Sequence, residues 1–241
     1  MQTAIESVRR EDRHLTFYGE GISYLSSLGI RGRFIVIEGP DGSGRSTQVE
    51  LLTSRLESDG HAVLNTGLKR SELVAKGILQ AKESTPLGKK TMTLLYAADL
   101  ADQLEHKIIP ALESGTIVVA DRYIFTLMAR SAVRGIGKKW LNSLFGFAIV
   151  PDLVFYLDVN PHELFYRAFQ KYAALDYYES GADMGSSRDL YESFIIYQKK
   201  IAREFAQMEK RYSMLRIDGN QPLQSVGQEL QVRVEDYLAQ L

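Results

Sequence analysis

A three-layer α/β fold, with a parallel sheet of about five strands between helices on both faces, is predicted by three observations. Short apolar runs rich in β-branched residues alternate with longer stretches of helical periodicity. The runs are apolar on both faces, as buried parallel strands are. A glycine-rich turn joins the first run directly to the first helical stretch.

Residues 1–32 read as an extension ahead of the core, punctuated by Tyr18-Gly19-Glu20-Gly21 and Gly29-Ile30-Arg31-Gly32. Two readings fit them: a flexible leader, or an arm that packs on the core or on a partner subunit. The core begins at Arg33, and Phe34-Ile35-Val36-Ile37 is its first strand. Val49, Leu52 and Leu56 then recur at helical spacing, with Leu51 flanking that face and Gly60 ending the helix. Ala62 to Leu64 is a second, weaker strand. Residues 67–115 are mostly helical, broken near Ser84-Thr85-Pro86-Leu87-Gly88. Thr116 to Ala120, Leu153 to Leu157 and Met214 to Ile217 are the remaining strands. A long helix over 190–211 and an amphipathic one from Pro222 to Leu238 complete the pattern.

Composition narrows the function classes. The net charge of −1 gives no global field toward nucleic acid or an anionic membrane, so neither is expected as a partner. The absence of cysteine excludes disulfides, zinc thiolate sites and thiol catalysis. His14, His61, His106 and His162 are too dispersed for metal-ligand spacing. No apolar run approaches the ~18 residues of a spanning helix, and Met1 to Arg13 lacks the apolar stretch of a secretory signal. A cytoplasmic location is the expectation.

The strongest motif is Gly39-Pro40-Asp41-Gly42-Ser43-Gly44-Arg45-Ser46-Thr47. It follows G-x-x-x-x-G-K-[ST], the phosphate-binding P-loop, except that Arg45 stands where lysine is usual. The chemistry suits the match. Glycines let successive N–H groups converge on phosphate oxygens, the following helix turns its positive end to the same anion, and the Ser46 hydroxyl is suited to magnesium. An expected P-loop NTPase sandwich follows, binding ATP through Gly39, Gly42, Ser43, Gly44, Arg45, Ser46 and Thr47. Arginine is a planar fork and lysine a point charge, so two outcomes stay open: turnover with Arg45 neutralising β/γ-phosphate charge, or binding without turnover.

The stretch from Phe34 to Gln48 resembles the opening of thymidylate kinases, which read FIxxEGxDGxGKxTQ. Further blocks follow in order: Leu94-Leu95-Tyr96-Ala97-Ala98-Asp99 with Ile109-Pro110-Ala111-Leu112, then Val118-Val119-Ala120-Asp121-Arg122-Tyr123, then Pro151 to Val159. Ile217 to Pro222 is similar to the family's loop beside the adenine, which adds Asn220 and Gln221 to the ATP set. The resemblance covers roughly residues 33–240 and implies a kinase domain over 33–241. That domain would transfer the γ-phosphoryl group of ATP to a nucleoside monophosphate, dTMP to dTDP in the family, with Mg2+ and as a homodimer.

The resemblance also implies roles. Arg122 would contact the acceptor phosphate and the transferring group, and Asp121 the magnesium shell. Asp41 would face the acceptor ribose or the cationic network, unless it only caps its turn. Tyr96 would stack on the acceptor base, unless it is a core aromatic. The lid would lie at about 169–188. Because Gly42 occupies the family's alternative arginine position, a lid arginine is expected, and Arg167 and Arg188 flank that segment. In the run from Leu175 to Gly181, Tyr177 would contact the base, unless the run is a capped helix start with packed aromatics.

Some positions depart from the family. Leu100 replaces the arginine that reads the thymine ring, and an apolar side chain cannot make that hydrogen bond. Ala129-Arg130-Ser131 replaces AYQ, and Arg130, four residues before Arg134, adds a cation near the acceptor or faces solvent. Thr66-Gly67-Leu68-Lys69-Arg70 replaces TREPG, with Lys69 or Arg70 as a substitute for its arginine. Two further readings therefore stand beside the thymidylate reading: a kinase for another nucleotide or nucleoside, and a nucleotide-binding regulatory protein without turnover.

Overall fold

The structure is a computed structural model that describes residues 13–25, 28–84, 87–172 and 180–240. Residues 85–86 of the break expected near Ser84 to Gly88, and residues 173–179 of the expected lid, Tyr177 among them, lie outside the described residues.

The strands are β1 (Arg13–His14), β2 (Gly29–Ile30), β3 (Arg33–Glu38), β4 (Val63–Gly67), β5 (Ile117–Asp121), β6 (Leu153–Asp158) and β7 (Leu215–Asp218). The helices are α1 (Arg45–Ser58), α2 (Ala75–Ser84), α3 (Lys89–Gln103), α4 (Ile109–Glu113), α5 (Ile124–Val133), α6 (Lys138–Leu144), α7 (Pro161–Tyr172), α8 (Leu190–Arg211) and α9 (Leu223–Ala239). A π-helical stretch, Leu104–Ile108, joins α3 to α4 just before Pro110, which has no N–H for a regular ladder.

The main sheet has five parallel strands in the order β4-β5-β3-β6-β7. Side chains alternate across it. Phe34, Val36, Val118, Ala120, Val154 and Tyr156 face one core with α3, α4, α5 and α8. Ile35, Ile37, Ile117, Val119, Phe155 and Leu157 face the other with α1 and α9. This double burial is why the strands read as continuous apolar runs. From central β3 the chain crosses to β4 on one side and later to β6 on the other. Open α/β sheets bind ligands at the carboxyl ends beside such a reversal.

Two local results sharpen the expectations. Gly60 takes φ 90°, its N–H bonds to Glu57, and His61 N–H bonds to Leu56, a helix stop that needs a left-handed residue. β4 runs on to Gly67, beyond the Ala62 to Leu64 expected. Asn65 and Thr66 look unlike a strand, yet they pair with Val119 and Ala120, and the Thr66 hydroxyl donates to Gln103 at 2.6 Å. Tertiary pairing decides that ending.

The described part of residues 1–32 packs on the core. Val150 N–H bonds to Thr16, Tyr18 N–H to Ala148 and Gly19 N–H to Gly146. Arg13 pairs with Asp152, which also accepts from Phe34 N–H and the Tyr237 hydroxyl, each at 2.8 Å. Leu15 and Ile30 are buried, and Tyr18 packs edge-on to Phe125 of α5 and to Tyr212. Tyr18→Ala is expected to lower unfolding free energy by about 1–3 kcal/mol, read as a lower urea midpoint at unchanged m-value. An unshifted midpoint would mean that the arm adds nothing to the core.

Candidate active site

The phosphate loop follows β3 at the centre of the carboxyl edge. Gly42 takes φ 82°, and a Cβ there would come within 3.1 Å of the Leu164 carbonyl on α7, so both conformation and space call for glycine. Gly44, at φ 83°, precedes α1 and gives it no side-chain cap. The first-turn N–H groups of α1 thus keep their dipole for an anion.

Arg45 is buried and turns inward under the loop. Its guanidinium pairs with Asp121 and donates to the carbonyls of Gly39 and Pro40. Burial, then Arg122, hold its pKa below the ordinary arginine value, against the pull of Asp121 and Asp41. The other Asp121 oxygen accepts from the Ser46 hydroxyl at 2.7 Å.

A second set of contacts adjoins the first. Asp41 pairs with both Arg122 and Arg130. Burial would raise its pKa, but Arg122, Arg130 and Arg45 outweigh burial and hold it well below the usual carboxylate range. Burial likewise opposes, and Arg45 then overcomes it, in lowering the pKa of Asp121. Arg122 follows β5 with φ 74°, a left-handed backbone that costs a non-glycine residue about 1–3 kcal/mol and occurs at functional positions. Among the described residues, the Arg122 Nε and the Ser43 hydroxyl are buried without a partner. Ser43 lies in the loop and Arg122 pairs with its Asp41, and a phosphate oxygen would satisfy such donors.

Arg167 on α7 pairs with Glu163 at 2.9 Å and donates to the Gly219 carbonyl at 3.1 Å, beside exposed Asn220 and partly exposed Gln221. Asn220 accepts from Asn160 N–H at 2.9 Å. Thr47 is exposed on α1. Tyr96 and Leu100 are buried in the core with α5. Arg134 makes a bidentate pair with Asp183, at 2.8 and 2.9 Å, donates to the Arg130 carbonyl at 3.1 Å, and lies over the Tyr197 ring. Lys69 takes φ 61°, Arg70 donates to Asn65, and Arg188 is exposed.

Two buried acids were not singled out from the sequence. Asp99 accepts from Lys69 N–H, Ser71 N–H and Gln103, and so shapes the loop after β4; burial raises its pKa. Glu38 ends β3 and accepts from the start of α5. Period-two counting places Glu38 on the face of Phe34 and Val36, and a charge on a buried face was the available signal.

A family model described as "Thymidylate kinase" matches residues 37–230. The chain belongs to the thymidylate kinase family. It is similar to "Probable thymidylate kinase 2" of Saccharolobus solfataricus, with 34% identity over 210 residues, 87% of this chain and 98% of the relative. It is also similar to the thymidylate kinase of Bacillus cytotoxicus, at 31% over 219 residues, 87% of this chain and 100% of the relative. A probable thymidylate kinase of Pyrococcus abyssi is 37% identical over 142 residues, 56% of this chain and 68% of the relative. In this thymidylate kinase family member, the P-loop, the Asp121-Arg122 pair and the Asp218–Gln221 turn share one sheet edge.

The shifted carboxylates predict a pH dependence. Asp41 and Asp121 have folded pKa values below their unfolded ones. Their stabilisation is full above about pH 4 and is lost as pH falls through the lower folded values. Glu38 is raised by burial, so it withdraws stability as pH rises past its unfolded value. Asp41→Asn should be less stable than wild type at pH 7, by about 1–3 kcal/mol, and the gap should narrow in denaturant melts taken down to pH 3. A gap independent of pH would refute the ion-pair account.

Proposed function

We propose that the chain transfers the γ-phosphoryl group of ATP to a nucleoside monophosphate, dTMP first, to give dTDP. The observation that carries this reading is the convergence of Arg45, Arg122 and Arg130 with Asp41, Asp121 and Ser46 beside a P-loop. Phosphoryl transfer needs little covalent help from a protein; it needs positioning and charge neutralisation. Family membership supports the same reaction.

In this account Gly39, Gly42, Ser43, Gly44, Ser46 and Thr47 bring the loop and the start of α1 to the ATP phosphates. Arg45 supplies the cation that the lysine of the pattern would supply. Asn220 and Gln221 border the adenine. Arg122 lies between donor and acceptor, where its strained backbone and unpartnered Nε suit a phosphate, and Arg130 adds charge on the acceptor side. Asp41 holds both in place. Arg167, tied to the Gly219 carbonyl and next to Gly42, is the arginine expected near the lid. Tyr96 and Tyr177 are the proposed base contacts, although Tyr96 is buried in the core.

Magnesium fits the donors. Among the described residues no cluster of three His, Cys, Asp or Glu side chains could hold an ion by itself. Magnesium bound with nucleotide phosphates needs only one or two protein oxygens, the rest being phosphate and water. Ser46 and Asp121, in mutual contact, are those oxygens. The ion would neutralise charge on the β- and γ-phosphates.

The domain reading is a kinase domain over 33–241, with 1–32 as its arm. A homodimer is also part of the proposal, supported by exposed Leu79 on α2 and Leu94 on α3. No described helix is long and apolar enough to cross a membrane; ATP and dTMP as substrates support a cytoplasmic site of action.

One observation favours a second acceptor. Leu100 is buried and apolar where the family reads the thymine ring with an arginine. A panel of nucleoside monophosphates with ATP and magnesium, followed by diphosphate formation, decides between them. dTMP is expected to give the highest kcat/KM, and Arg122→Ala to lower that value about 10²–10³-fold. Preference for another monophosphate would discard thymidylate and keep the kinase. ATP binding without turnover of any acceptor would defeat the reading.

A further inference from the structure

Helix α5 begins without a cap from its own flank: Tyr123, at the position before its first residue, makes no side-chain hydrogen bond to the helix. A helix start leaves several N–H groups without intrahelical partners. Two of these, on Tyr123 and Thr126, donate to one oxygen of Glu38 at 2.9 and 3.2 Å. The Thr126 hydroxyl donates to the other oxygen at 2.5 Å. A capping box satisfies these same two backbone positions with two side chains of the helix itself. Here a single carboxylate from the adjacent sheet satisfies both.

The location of that carboxylate matters. Glu38 is fully buried, it ends the central strand, and Gly39 of the phosphate loop is the next residue. Tyr123 directly follows Arg122, whose backbone is held at φ 74°, and Arg130 lies on α5 itself. Glu38 thus joins the strand that carries the phosphate loop to the helix start that presents both arginines facing Asp41. We propose that Glu38 is a positioning residue for acceptor-phosphate recognition: by capping α5 across the sheet it holds Arg122 and Arg130 on the acceptor side of the loop. This rests on the kinase reading above.

Removal of the cap leaves the helix start short of acceptors and lets the strained Arg122 backbone relax. Arg122 and Arg130 then lose their setting relative to the loop. The start of α1, which faces ATP, receives no hydrogen bond from Glu38; Arg45 at its first position acts on Glu38 through charge alone, and Thr126→Val leaves that charge in place. The expected signature is an acceptor defect with ATP binding retained. A role in folding alone would weaken both substrates together.

The test compares Glu38→Ala, Glu38→Gln and Thr126→Val with wild type, using acceptor KM, kcat and the Kd of a fluorescent ATP analogue. Glu38→Ala should raise acceptor KM about tenfold or more and lower kcat, with the ATP Kd changed by less than about threefold. Glu38→Gln should recover most of the loss, because an amide oxygen still accepts both backbone N–H groups and the Thr126 hydroxyl can turn to accept from the amide. Thr126→Val keeps the volume, removes one bond, and should shift acceptor KM in the same direction by less. If Glu38→Ala does not fold, the other two variants carry the test through the same split between acceptor and ATP. Parallel weakening of ATP and acceptor, unchanged acceptor KM in Thr126→Val, or a Glu38→Gln variant as impaired as the alanine variant would overturn the proposal. A wild type that phosphorylates no monophosphate would overturn both this and the kinase reading, whereas an active wild type with unresponsive variants would overturn this one alone.

Discussion

Three guanidinium groups, of Arg45, Arg122 and Arg130, meet at one sheet edge, and two carboxylates hold them there. Two like charges about 4 Å apart repel by roughly 4 kcal/mol at an effective dielectric constant near 20, so the cluster stands only with anions inside it. Asp41 lies between Arg122 and Arg130, and Asp121 ties Arg45 to Ser46. The arrangement is a cationic site balanced by the protein's own acids. A nucleotide phosphate brings the same charge and the same acceptor geometry, so it can share or take over those partners without the site being rebuilt. Preorganised charge of this kind is the main resource of phosphoryl-transfer catalysis.

The fold exists around that edge in a specific sense. Asp41 comes from the turn after β3, Arg45 from the first position of α1, Asp121 and Arg122 from the end of β5, and Arg130 from α5. β3 and β5 are paired in parallel, with Ile37 opposite Asp121, so their carboxyl ends lie side by side. The close approach of α7 to Gly42 brings Arg167 near the loop, and its bond to Gly219 joins α7 to the turn after β7. Beneath the site, two apolar layers bury the sheet on both faces and supply a rigid base. The arm at residues 13–25 braces α5 from the far side through Tyr18 and Phe125.

Much of this is legible along the chain because it depends on local order. The apolar runs, the helical spacing of Val49, Leu52 and Leu56, the stop at Gly60 and the phosphate loop need only neighbours in sequence. The readings that stay hidden depend on distant partners. The last residues of β4 are polar and become strand only because β5 pairs with them. Asp99 reads as an ordinary acid until the fold supplies the N–H groups that donate to it, and Glu38 shows in sequence only as a charge on a buried strand face. Tyr96 shows the middle case: a tyrosine on a helical face fits both a core and a base contact, and the structure buries it beside Leu100. The inward turn of Arg45 onto loop carbonyls was likewise beyond a motif, which records a residue type and not the direction of its side chain.

The most direct measurement is a crystal structure with magnesium, a non-hydrolysable ATP analogue and dTMP. The account predicts that phosphate oxygens of the two nucleotides meet at Arg122, with the donor phosphates over the loop beside Arg45 and Ser46, and that Arg122 Nε gains a phosphate partner. Nucleotides bound elsewhere, with the Arg122–Asp41 and Arg45–Asp121 pairs intact and no phosphate on Arg122, would contradict it.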